Sequence, residues 1–117
     1  MANASTVLSV ERHEQAIVGT VICRNLDLES TAQLQHDLAT ALAAAPTHSL
    51  VLDLSAVEFA PSLALGLLVK THKELTQAGR KCVLVGLQPL LQEVMKITAL
   101  ANYLQICGTT AEGLKHM

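Results

Sequence analysis

The sequence predicts an α/β domain whose mixed sheet of four to five strands packs with about four helices. Three observations lead there. Short apolar runs of β-like composition alternate with stretches of helical periodicity, the pattern of strands joined by crossover helices. The first two runs follow each other with only a polar turn between them, which adds an antiparallel pair to an otherwise parallel order. Finally, 117 residues that are 50% hydrophobic and 15% charged suffice for one core, residues 1–117, without disulfide or metal.

Val7–Val10 and Ala16–Cys23 read as the opening strands, joined by a turn around His13 and Glu14. Ser30-Thr31-Ala32-Gln33 carries a capping-box signal, and Asp27 just before it is an alternative cap. Leu34, Leu38, Ala41, Leu42 and Ala45 follow at helical spacing until Pro46 stops them. Ser49–Leu54 is the short apolar run of a central strand buried on both faces. Pro61 stands where a helix begins, at the first position, which needs no N–H donor. That helix is carried by Leu65, Leu68, Val69, His72 and Leu75, and Gly79 ends it. Its first half, Leu63–Val69, is apolar all round apart from Gly66, as deep burial or a partner on the outer face requires. Further on, Lys70, Lys73 and Glu74 face water. Cys82–Val85 is the next strand, and Gly86–Pro89 turns into a helix with Leu90, Leu91, Val94, Met95 and Thr98. Tyr103–Cys107 closes the sheet before a short helix over Ala111–Lys115.

Several classes of chemistry are disfavoured. A formal net charge of −2 gives no electrostatic reason for nucleic acid. Phe59 and Tyr103, the only aromatics of the Phe/Tyr/Trp set, cannot build a base-stacking platform. The first six residues lack the charge and apolar run of a leader, and Leu63–Val69 is too short to cross a bilayer. The expectation is a soluble cytoplasmic protein without membrane insertion. Cys23, Cys82 and Cys107 form no CxxC pair, so small, mostly buried, reduced thiols inside β-like runs are expected. His13, His36, His48, His72 and His116 lack metal-ligand spacing, and no cofactor motif is present. Asp53 ends a buried strand, where enzymes place catalytic acids. With no base in sight, a carboxylate satisfied by loop amides is the better account, and no catalytic activity is expected.

The run Val51-Leu52-Asp53-Leu54-Ser55-Ala56-Val57-Glu58-Phe59, continued by Ala60-Pro61-Ser62-Leu63-Ala64-Leu65-Gly66, resembles the central signature of STAS (sulfate transporter and anti-sigma-factor antagonist) domains. There a Leu-Asp-Leu-x-x-Val-x-Phe strand and turn lead into Asp-Ser-Ser-Gly-Leu-Gly at a helix start. Asn25-Leu26-Asp27 is similar to the family's Gly-Glu-Leu-Asp segment, and the likeness extends through Gly79–Gly86 and Val94–Leu104. Nearly the whole chain is covered in order, which implies the STAS fold.

The resemblance also implies a role. Ser62 falls on the serine that partner kinases phosphorylate in bacterial anti-sigma-factor antagonists. Pro61 replaces the family's aspartate, Leu63 its second serine and Ala64 its glycine; Arg24 replaces the glycine of the earlier segment, while Leu65, Gly66 and Asp27 match. The leading expectation is a non-catalytic regulator that binds a serine kinase or anti-sigma factor through Asn25, Asp27, Ala60, Pro61, Ser62, Leu63 and Leu65. A subunit docking on the ATPase of an ABC-type lipid transport complex is the alternative. A third reading is a domain binding a small ligand or nucleotide at the loops beyond the strand C-termini. Leu63 is either an exposed contact or folded inward with Leu67, and Ser62 either modified or an ordinary first-turn serine.

Overall fold

The computed structural model describes residues 7–115. The leader reading of Met1–Thr6, and His116, lie outside the described residues. Five strands, β1 (Leu8–Arg12), β2 (Ala16–Val21), β3 (Ser49–Asp53), β4 (Cys82–Val85) and β5 (Gln105–Cys107), lie side by side in sequence order. β1 and β2 are antiparallel, and every later pair is parallel. The helices are α1 (Leu28–Ala44), α2 (Ser62–Gln77), α3 (Pro89–Ile97), α4 (Leu100–Tyr103) and α5 (Thr110–Lys115).

A parallel sheet that always advances in one direction has a consequence for its layers. Crossovers between neighbouring parallel strands are right-handed, so successive ones place their helices on the same face. The main core accordingly gathers Ile17, Leu50, Leu52 and Leu84 from the strands with Leu34, Leu38, Leu68, Leu75, Leu91 and Met95 from the helices. The opposite face carries Val18, Val51, Val83 and Val85 and is packed by Leu114 of α5. β3 lies at the centre and contributes to both, through Leu50 and Leu52 on one side and Val51 on the other. Its unbroken apolar run is what burial on both faces demands.

The helix ends explain their own limits. Asp27, not Ser30, caps α1: its carboxylate accepts from the Ser30 N–H at 2.8 Å, and Ser30 lies inside the helix. Gln33, the far member of the expected capping box, donates to Asp37 instead. At the other end α1 has no basic residue in its last turn. Arginines from elsewhere supply donors to its terminal carbonyls, Arg12 Nη2 to Ala44 O and Arg80 Nη2 to Ala45 O. α2 ends in a Schellman turn, with Arg80 N donating to Leu75 O and Gly79 N to Thr76 O. Gly79 sits at φ +76, where glycine is nearly free of strain.

Four expectations need correction. Pro61 is the N-cap of α2, not its first helical residue, because its ψ of 176° is still extended. Tyr103 belongs to α4, and the last strand starts at Gln105. Cys23 lies beyond the end of β2; it and Cys107 are half-buried, so only Cys82 is buried. Leu90 faces outward, because α3 buries Leu91 and Met95 instead. No helix among the described residues is long and apolar enough to cross a membrane.

Candidate functional site

The loop before α1 and the turn before α2 are held together by a short parallel pairing. Asn25 bridges Phe59, Leu26 N donates to Phe59 O at 2.9 Å, and Glu58 N donates to Arg24 O at 2.7 Å. Arg24 Nε reaches Glu58 Oε2 at 2.7 Å across the same seam. Both side chains are solvent-exposed, so the ion pair adds register more than stability. Beneath the seam Leu26 is fully buried, and Thr31 Oγ1 donates to its carbonyl at 3.1 Å. Segments distant in sequence thus present one ridge at the N-terminal ends of α1 and α2.

On that ridge Asp27 is both cap and charge. The Ser30 N–H holds its carboxyl below the usual value, so it stays ionised at neutral pH. At the start of α2, Ser62 is the first helical residue and is exposed; among the described residues its hydroxyl has no hydrogen-bond partner. No acidic residue occupies the first turn of α2, and Pro61 offers no side-chain cap, so the positive end of this helix is not neutralised locally. Leu63 is 53% exposed, which removes the inward packing with Leu67. Phe59 at 57% and Leu28 at 74% are further apolar side chains left to solvent on the two segments.

Asn25, Asp27, Pro61, Ser62 and Leu63 are therefore brought together. Ala60 and Leu65 are not surface groups: each is 9% exposed and belongs to the core, Ala60 in the turn before α2 and Leu65 on the buried side of the helix. They support the turn from below. Phe59 and Leu28 were missed. Both are apolar residues beside turns, and the Asn25–Phe59 bridge that keeps Phe59 at the surface is a nonlocal contact with no local signal.

Asp53 Oδ1 accepts from Ser55 N at 2.8 Å, closing the turn after β3 as a carboxylate satisfied by a loop amide. Burial pushes the Cys82 thiol up to about 12 and also raises Cys23 and Cys107, the reverse of nucleophile activation. Among the described residues no three metal-ligating side chains converge.

Residues 9–113 match the family described as STAS domain. Among solved structures, a Thermotoga maritima protein superposes with a TM-score of 0.84 at 19% identity, covering 93% of this chain and 92% of its own. An anti-sigma factor antagonist from Mycobacterium paratuberculosis gives 0.82 at 25% identity, covering 94% and 92%. SpoIIAA of Bacillus, an anti-sigma factor antagonist in its unphosphorylated form, gives 0.77 at 17% identity, covering 94% and 95%. The five-stranded mixed sheet, its helical layer and the match along the sequence agree: the chain belongs to the STAS domain family.

Proposed function

We propose that this protein is a non-catalytic regulator of the anti-sigma-factor-antagonist type. It docks on a serine kinase or anti-sigma factor through the ridge formed by Asn25, Asp27, Phe59, Ser62 and Leu63. The observation that supports the reading is the Asn25–Phe59 bridge, which pairs the segment that leads into Asp27 with the segment that leads into the exposed Ser62. SpoIIAA has been solved in both unphosphorylated and phosphorylated forms, which supports phosphorylation of Ser62 as the switch. A phosphate there would add about −1.5 to −2 charges at an uncapped helix N-terminus, where an anion is tolerated by the fold. The same charge in the middle of a desolvated contact would oppose binding.

Pro61 gives the second reading its footing. The cap of α2 has no carboxylate, as suits a module that docks constitutively, for example on a transporter ATPase. The test is recovery of the partner from the native host with the wild-type protein as bait, then titration of that partner against wild type, Ser62→Ala and Ser62→Glu. Circular dichroism checks that each is folded. The switch predicts that Ser62→Ala binds at least as well as wild type and Ser62→Glu much more weakly. Equal affinity for wild type and Ser62→Glu would assign the chain to constitutive docking.

A further inference from the structure

A second surface feature lies away from this ridge, between the edge strand β1 and helix α1. The β1–β2 register pairs Leu8 with Val21, Val10 with Gly19 and Arg12 with Ile17, so Leu8, Val10 and Arg12 share the face that the helices cover. Leu8 is buried, but Val10 is 46% exposed, and Ile22, just beyond β2, is 47% exposed. The helical layer therefore stops short of the sheet edge. The facing wall is one stripe of α1 that includes Gln33, Asp37, Ala41 and Ala44. The small side chains of Ala41 and Ala44 leave a groove of about 900 Å³ unfilled. It runs along about 16 Å of helix from Gln33 to Ala44 at 1.5 Å per residue.

Charge gives the groove a direction. Arg12 is the one Lys or Arg among its lining residues and stands at the Ala44 end. It spends one of its five N–H donors on Ala44 O, at a long 3.3 Å, and among the described residues no carboxylate pairs with it. The groove's acid, Asp37, sits seven residues earlier on α1, about 10 Å along the axis, and accepts from Gln33 Nε2 at 2.9 Å. Between the two ends the lining is mixed, with Val10, Ile22 and Ala41 forming an apolar strip beside the polar side chains of Ser9, His36 and Thr40. An open groove that sets an apolar strip beside one exposed guanidinium can take a small amphipathic ligand.

We propose that this groove binds an amphipathic monocarboxylate, its chain along Val10, Ile22 and Ala41 and its carboxylate on the Arg12 guanidinium. Guanidinium and carboxylate match in charge and in paired hydrogen-bond geometry.

Decanoate, held below its micelle concentration, is the probe, followed by amide and methyl NMR shifts of the full chain. Saturable shifts are expected at Val10, Ile22, Ala41 and Ala44, with a Kd on the order of 0.1–1 mM for a ligand of this size. Decanol should bind about tenfold more weakly. Arg12→Gln should weaken decanoate about tenfold and leave decanol unchanged, and Ala44→Leu, which fills the groove, should abolish both. Equal affinity of the wild-type protein for decanoate and decanol overturns the proposal without any variant. So do shifts that never saturate, or that centre on Leu28, Phe59 and Leu63, and so does a folded Arg12→Gln that binds decanoate as wild type does.

Discussion

Asp27 joins two demands in one side chain, because the carboxylate that starts α1 is also the charge presented on the ridge. The two are separable by substitution. Asp27→Asn keeps an oxygen that can accept from Ser30 N but removes the charge; Asp27→Ala removes both. Loss of an N-cap acceptor from a helix of this size should lower Tm by roughly 3–6 °C at neutral pH for Asp27→Ala, and by less for Asp27→Asn. The pH dependence follows from the direction of the shift. The folded carboxyl titrates below its unfolded value of 3.8, so the unfolded chain takes up the proton first as pH falls. The advantage of Asp27 over asparagine is then fully present well above 3.8 and disappears as pH drops through the folded value. Thermal melts of both proteins between about pH 2 and pH 7 check this, since a difference that persists unchanged at the acid end would mean the carboxylate is not the cap.

At the scale of elements, α2 shows how a helix start can be nearly legible. Pro61 marks the start correctly, but proline fits the first helical position and the cap almost equally well, and only ψ separates them. Observed side by side, the caps of the two long helices are backbone twins: Asp27 has φ −72 and ψ −175, Pro61 φ −71 and ψ 176. A carboxylate placed at 61 therefore inherits the geometry that works at 27. Pro61→Asp gains a cap, about 0.5–2 kcal/mol, and loses proline's restriction of the unfolded chain, about 0.4–1 kcal/mol. Net stability should change by no more than about 1.6 kcal/mol in urea titrations while partner affinity changes. Outright unfolding would contradict the matched caps. α4 was illegible for the opposite reason. The chain breaks between α3 and α4 at Ala99, which sits at φ 64, and an alanine in the left-handed region announces no helix end. Tyr103-Leu104-Gln105-Ile106-Cys107 then reads as one strand by propensity, although Tyr103 still belongs to the helix. The ridge was legible only in part. Asp27 and Ser62 stand out by motif, whereas the pairing of their two segments spans 34 residues, as between Arg24 and Glu58, and has no local signal.

For the whole molecule, the one-directional strand order leaves the two sheet faces unequally protected. One is covered by the helical layer of α1, α2 and α3; the other, with Val18, Val51, Val83 and Val85, packs against the six-residue α5. A helix that short is marginal by itself, so contact must hold it. Thr109 Oγ1 accepts from Glu112 N at 3.2 Å to start α5, and Gly113 brings its backbone onto the valines. A Cβ at Gly113 would stand 3.0 Å from Val85 Cγ1 and 3.1 Å from Val51 Cγ1. Gly113→Ala asks those side chains to yield a few tenths of an ångström and gains helix propensity of up to about 1 kcal/mol, so its net effect should be small. Gly113→Leu cannot be accommodated in the same way and should cost about 1–3 kcal/mol through overpacking. The location of that cost is the sharper expectation. Because α5 touches the sheet through the valine layer and not the main core, the leucine variant should lift α5 alone. Amides of α5 would lose hydrogen-exchange protection while those of α1, α2 and β3 keep theirs, and the uncovered valines would bind a hydrophobic dye. Uniform loss of protection across the sheet would instead mean that the two layers unfold as one, and that α5 is as essential to the fold as the helices on the other side.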